Sequence, residues 1–499
     1  MFRLLSLLTL IISIVIYNYR ITEPAVPNFE HFYELQISKT NAIKHFIKNM
    51  TNHAVNGYLD YAYPYDALDP ISGNGVSWSY SGSTSMLTLF DMLDTLYILK
   101  LPQYQRAREY VVNFNFAGHV NSFEFIAKVL GGLISMYDLT QDPIYLDKAN
   151  YIGHVFCNYT LLPPRVVDFA TNSSNGQQFM SLSFVGSRQL EMSRLSQITK
   201  NPVFFEKALA VYDLILNNEL EYPGLFPSTI DKDGNIHFYD LYGAGAGLDS
   251  FYEYLLKVGV HSKDRDLLRK AEISLNAIIT NLRRDYDGFT FIATDVHIEQ
   301  YDRGTLEHLT CFMGGLFALA STIYKNATFL EFGENVADGC YHNYLNNPTR
   351  LGPAESLAFV PLTNKEQYRL ASELVETNFY LFRLTGKLIY KQRNYEIAQQ
   401  IDKYCKTPYG YIGVNVITGK QMEHEESLWL NWIKISYYTL LKYTIGTNTW
   451  DLNEYMYTAQ DSGFLSKTLK YLFLTFDEQI DLSKWIFNTQ GHPFKMNNK

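Results

Sequence analysis

Positive charge is scarce in this sequence, and it never gathers into runs. Lys and Arg number 42 against 51 Asp and Glu, a formal net charge of −9 over 499 residues. With no basic stretch to track phosphates, nucleic acid is not an expected partner. Cysteine is rare as well. The four, Cys157, Cys311, Cys340 and Cys405, allow three pairings, and composition does not choose among them. Strand signals past residue 80 are few. Long charge-free apolar runs are limited to the N-terminus, where Leu4 to Tyr17 spans fourteen residues. That is a signal-peptide length rather than a comfortable membrane span. No small-x-small cleavage site follows in "YNYRITEPAVPN", which favours an uncleaved signal anchor over a cleaved signal. Either reading sends the remainder into the secretory lumen.

What is abundant is aromatic: 39 Tyr and 32 Phe. Rings suit a carbohydrate pocket, but filling a core is their default use. Acceptor sequons for N-glycosylation stand at Asn49, Asn158, Asn172 and Asn326, which agrees with a lumenal chain.

Seven helix-period segments follow one another: "TLFDMLDTLYIL" from Thr88, "FEFIAKVLGGLISMYDLT" from Phe123, "FVGSRQLEMSRLSQIT" from Phe184 and "LDSFYEYLLKVGV" from Leu248. "HLTCFMGGLFALASTIY" from His308, "ASELVETNFYLFRLTG" from Ala371 and "QDSGFLSKTLKYLFLTF" from Gln460 complete the set. Each is apolar around most of its circumference, as a helix shielded on all sides should be. Several lead through short turns such as "TQDP" and "TKNP" into a more polar, amphipathic helix. The middle segments start roughly sixty residues apart, which fits one helical hairpin per repeat. An open solenoid or a closed ring could bury such hairpins. The all-round apolar inner helices and the lack of polar capping repeats favour closure. The expected architecture is an all-α toroid of seven α/α hairpins over residues 35–494. A signal segment (1–20), a short stem (21–34) and a tail (495–499) flank it. The mid-helix pairs Gly131–Gly132 and Gly314–Gly315 each cost about 1 kcal/mol per Gly relative to Ala, so they are expected to permit close packing.

Glu124, Asp249, His308, Glu373 and Asp461 all fall at the N-terminal ends of these inner helices. A single carboxylate there is most simply a cap that complements the helix dipole. Several at equivalent places of an inward-facing ring would meet at one mouth, which capping does not require. Converging carboxyls beside a pocket for sugars point to glycoside hydrolysis, with retaining and inverting routes both open.

The ordered motifs "DMLDTLYI", "FEFIAKVLGGLIS", "GAGLDSFYEYLLK", "HLTCFMGGLFAL", "SELVETNFYLFRLTG", "KTLKYLF" and "FNTQGHP" resemble the class I α-mannosidases, glycoside hydrolase family 47. The resemblance implies an (αα)7 barrel, calcium-dependent inverting hydrolysis of α-1,2-linked mannose, and high-mannose N-glycans as substrate. It also implies a type II protein of the ER or Golgi membrane, and leaves open whether a disulfide-isomerase partner is needed. By the same resemblance Glu124 matches the general acid, Glu373 the base and Asp249 the third catalytic carboxylate. His308, Lys128 and Glu376 match substrate-pocket positions, Glu376 as a carboxylate near the metal one helical turn after Glu373, and Thr489 matches the residue that offers calcium a carbonyl and a hydroxyl oxygen. Cys311 and Cys340 match the family's disulfide, which would join the two helices of the fifth hairpin.

Departures cluster near these residues. Ala371 stands where the family has arginine, and Lys128 replaces another, keeping charge but losing the bidentate fork. Phe184 and Gly247 replace an acid and an arginine, and Lys467 and Gln490 replace two glutamates. Fewer acids predict weaker calcium binding. An extra stretch, "EESLWLNWIKISYYTLLKY", offers another start for the seventh hairpin near Glu425. The alternative to an enzyme is a mannose-binding, lectin-like quality-control factor on the same barrel.

Overall fold

The computed structural model describes residues 38–77, 85–158, 162–169, 174–175, 178–236, 241–296, 304–422 and 459–496. The signal segment, the stem, Asn172 and the stretch around Glu425 lie outside the described residues. The chain divides into two compact units, Met1–Phe46 and Ile47–Lys499. Of the first, only the beginning of the helix Ser38–Gly57 is described. Among the described residues no helix is long and apolar enough to cross a membrane.

The second unit is the expected (αα)7 ring. Its inner helices are Leu87–Ile98; Ser122–Glu124 continued by Phe125–Leu130 and Gly131–Thr140; Leu182–Gly186 with Gln189–Thr199; and Asp249–Ser262. His308–Phe312 with Met313–Tyr324, Glu373–Thr385, and Phe464–Thr468 with Leu469–Phe476 complete the ring. The seventh packs back on the first, where the Thr95 hydroxyl donates to the Leu465 carbonyl at 2.9 Å. Among the described residues six outer helices follow their inner partners: Gln103–Asn113, Pro143–Cys157, Val203–Leu216, Arg265–Leu282, Ala327–Leu345 and Leu388–Tyr404. The seventh inner helix is served differently. Its outer neighbour is the end of Ser38–Gly57, with Lys48 Nζ 5.6 Å from the centre of the Phe473 ring. Closure of the ring therefore joins the two ends of the unit.

The hairpin turns repeat a local recipe. Gln141, Lys200, Lys263, Lys325 and Gly386 each take a left-handed conformation (φ 52–73°) just past an inner helix. The next residue caps the outer helix in four cases: Asp142 accepts from Ile144 N, Asn201 from Val203 N, Asp264 from Asp266 N and Leu267 N, and Asn326 from Thr328 N. Stop and start signals are thus adjacent, which folds each pair antiparallel.

The all-round burial expected of inner helices is present: Leu374 to Phe382 and Leu469 to Phe476 are buried without interruption. Outer helices bury one stripe; in Ala327–Leu345 it is Phe329, Phe332, Val336, Ala337, Cys340 and Tyr344. Each such large apolar side chain contributes about 1.5–3 kcal/mol on burial. The glycine pairs pack as expected. A Cβ on Gly132 would meet Phe90 O at 2.5 Å, and one on Gly314 would meet Gly333 O at 2.9 Å. The Cys311–Cys340 disulfide joins the fifth hairpin, and Cys157 and Cys405 are free and buried.

Small sheets, unexpected from sequence, carry the chain into several inner helices. His119–Asn121 pairs with Val166–Asp168 ahead of the second, and Phe179–Ser181 with Thr229–Asp231 ahead of the third. Thr305–Glu307 pairs with Glu355–Leu357 ahead of the fifth. A final hairpin, Trp485–Phe487 with Pro493–Lys495, plugs the opposite end of the ring. Buried polar bonds lock it there. His492 lies between Asp94 Oδ2 (2.8 Å) and Asp91 Oδ1 (2.9 Å), and Asn488 donates to Ala127 O (3.0 Å) and Glu191 Oε1 (2.8 Å).

Candidate active site

All five residues expected at the mouth do meet. Glu124, Asp249, His308, Glu373 and Asp461 line one cavity of about 370 Å³, within the ~300–1,000 Å³ of ordinary small-molecule pockets. Lys128 lines it too, and Thr489 and Gln490 close it from the plug.

Glu124 is not there to cap. Asn121 does that, its side chain accepting from Phe123 N and Glu124 N. The Glu124 carboxylate instead contacts Lys128 Nζ at 2.8 Å, and the same ammonium lies 3.4 Å from Asp461 Oδ1. Burial opposes the lysine's charge, but Asp461 and Glu124 outweigh it and hold its pKa well above the ordinary value. Lys128 sits in the π turn Phe125–Leu130, and π turns recur at functional sites. For Asp461 the capping reading holds as well, since it accepts from Gly463 N at 3.0 Å.

Glu373 and Asp249 differ electrostatically. Burial works against the charge on Glu373, but His308, whose Nδ1 is 3.0 Å away, and then Lys467 outweigh it and hold the carboxyl at about 2. His308 is itself fixed by Tyr344, Nε2 to OH at 2.6 Å. Asp249 moves the other way. Burial raises its pKa despite hydrogen bonds from the Ser183 hydroxyl (2.6 Å) and Ser250 N (2.8 Å). A pair of carboxyls pushed apart in this way is how a site separates a base from an acid.

The structure adds residues that the sequence did not single out. Glu307, in the strand before the fifth inner helix, lines the cavity and accepts from Ala246 N at 3.1 Å. Burial pushes its pKa up to about 7. Arg369 and Lys365 also line the wall. No motif flags them, because strand and loop pairing brings them in.

Glu376 lies below the cavity lining. One turn beyond Glu373, it is buried and does not line the cavity. Its oxygens meet the Tyr471 hydroxyl at 3.1 Å and Lys467 Nζ at 3.4 Å. Those contacts tie it to Lys467 and Tyr471 of the seventh inner helix.

The profile of glycosyl hydrolase family 47 matches residues 50–496. The chain belongs to that family. It is 32% identical over 481 residues to mannosyl-oligosaccharide 1,2-alpha-mannosidase IA of Sus scrofa, covering 90% of this chain and 67% of the relative. The corresponding Drosophila melanogaster protein is 29% identical over 480 residues, covering 90% of this chain and 66% of its own length. This chain thus matches about two-thirds of those relatives. In structure it resembles the alpha-1,2-mannosidase from Trichoderma reesei, with TM-score 0.77 and 21% identity over 92% of this chain and 99% of that one.

Membership of family 47 makes the departures measurable. Calcium is the first. Thr489 can offer two oxygens, but Ca²⁺ takes six to eight, usually with carboxylates among them. Beside Thr489 the floor carries an amide, Gln490, and an ammonium, Lys467. Among the described residues no group of three or more His, Cys, Asp or Glu side chains is arranged to hold a metal. The donors do not fit calcium, and no step below is routed through one. Gly247 has φ +86°, a conformation that any side chain would strain. Ala371 lines the wall where an arginine is absent, with Arg369 lining the same wall two residues earlier. Phe184 stacks near Phe123, ring centres 6.3 Å apart. The sequons Asn49 and Asn158 are exposed, whereas Asn326 is half-buried in its capping role.

Proposed function

We propose that this cavity removes α-1,2-linked mannose from high-mannose N-glycans by direct displacement with water. The observation that carries the proposal is the opposed electrostatics of Glu373 and Asp249 in one sugar-sized cavity. Glu373, ionised throughout the physiological range and oriented by His308, takes a proton from water as the water oxygen attacks the anomeric carbon. The bond from that carbon to the glycosidic oxygen breaks, and the leaving oxygen takes a proton from a carboxylic acid. Resemblance assigns that acid to Glu124; electrostatics favour Asp249. Lys128, held between Glu124 and Asp461, keeps Glu124 at the wall. Displacement in one step inverts the anomeric centre.

The relatives' names describe mannosyl-oligosaccharide 1,2-alpha-mannosidases, which supports the substrate. The apolar N-terminal stretch and the exposed sequons support a lumenal protein of the ER or Golgi held by that stretch. The test compares Glu124→Gln with Asp249→Asn on a nine-mannose glycan. The true proton donor loses roughly 10²–10⁴ in kcat, and the loss is smaller on a substrate with an acidic leaving group. Full activity in both variants would refute the mechanism.

A further inference from the structure

We propose that the ammonium of Lys467 supplies, at the floor of the cavity, the positive charge that a divalent cation would otherwise bring, so that turnover needs no metal. The inference rests on the glycosidase reading above.

Lys467 is placed by the π turn Phe464–Thr468 of the seventh inner helix. Its side chain runs along the tip of the plug, its Cγ 3.3 Å from where a Cβ on Gly491 would stand. The tip offers only neutral groups to the cavity, Thr489 and Gln490. Nζ ends 3.4 Å from Glu376 Oε2, and the Tyr471 hydroxyl occupies the other oxygen of that carboxylate at 3.1 Å. Each oxygen of Glu376 therefore already faces a protein group, one of them a cation. The side chains are 14% and 4% exposed, so water screens the pair little.

Around the whole wall acids outnumber cations by two, but at the floor the lining side chains are Lys467, Thr489 and Gln490. The cavity wall carries six carboxylates (Glu124, Asp249, Glu307, Glu355, Glu373, Asp461) and four cationic side chains (Lys128, Lys365, Arg369, Lys467). A site built for a divalent cation keeps acids in excess around it. Here the groups that share the floor with Thr489 are an ammonium and an uncharged amide. The same ammonium helps to hold Glu373 ionised, which is the service a metal beside the base would perform. With Lys467 and the uncharged Gln490 lining it, the floor carries its own cation.

The experiment uses the full chain, stripped with chelator, and reads both thermal stability and mannose release. Saturating calcium should move Tm by no more than ~1 °C, because only a ligand that binds the native state stabilises it. Mannose release should stay within about twofold with or without chelator. Lys467→Glu combined with Gln490→Glu should gain a calcium-dependent rise in Tm. Lys467→Met should lose release by at least roughly tenfold while Lys467→Arg retains more of it, which separates charge from packing. A reversible Tm rise with calcium in the unaltered chain, loss of release with chelator, or full release by Lys467→Met would overturn the proposal. Absence of release under every condition would refute the glycosidase reading, and the Tm measurement would still decide the question of the metal.

Discussion

Replacing Glu373 by glutamine keeps the shape of the side chain and removes its charge. Burial opposes its charge, but His308 and Lys467 outweigh burial and hold the carboxyl at about 2 in place of the ordinary 4.5, which favours the anion by about 3 kcal/mol. A depressed carboxyl pKa contributes stability above its unfolded value and loses it as pH falls toward the folded one. Glu373→Gln should therefore cost up to about 3 kcal/mol of stability at pH 7 and little near pH 2. The rate effect is separate. Without a base to accept the proton of water, kcat should fall by roughly 10²–10⁴, about 3–5 kcal/mol of barrier. Denaturant titration at pH 7 and pH 2, alongside turnover counted per folded molecule, reads both. His308→Asn should mimic part of the rate loss, since it removes the group that orients the base. Turnover within threefold of the unaltered chain in Glu373→Gln would refute the assignment of the base.

Other outcomes follow from the same contacts. Cys340→Ser opens a loop with a sequence separation of 29 and should cost about 3–4 kcal/mol, read as a lower denaturation midpoint with kcat unchanged. Glu191 is fully buried and its pKa is raised to about 7, chiefly by burial. The folded state therefore holds a proton that the unfolded state loses, and stability should fall by about 3 kcal/mol as pH rises from about 4.5 to 7, a slope that Glu191→Gln abolishes. Lys128→Met removes the cation between Glu124 and Asp461. Asp461 is nearly half exposed, so the cost should lie near about 2 kcal/mol, with kcat reduced as well.

Much of the ring was legible because its signals are local. An inner helix shielded on all sides reads as apolar all round, and short turns such as "TQDP" and "TKNP" mark the passage to an outer helix. The mouth was legible for a related reason: Glu124, Asp249, His308, Glu373 and Asp461 occupy matching places at helix starts. What escaped depends on distant pairings. Glu307 reaches the cavity through a strand paired to Glu355, and the plug is held by His492 on Asp91 and Asp94, some four hundred residues earlier. The outer partner of the seventh inner helix comes from the other end of the unit. Helical spacing placed Glu376 near Glu373, but only the position of Lys467 shows that it turns into the floor.

The most direct test of the account follows the anomeric protons of released sugar by NMR while the full chain digests a nine-mannose N-glycan. The account predicts that β-mannose appears first and mutarotates afterwards, that only α-1,2 linkages are cut, and that Glu373→Gln abolishes the signal. Release of α-mannose first, cleavage of other linkages, or binding of the glycan without any release would contradict it.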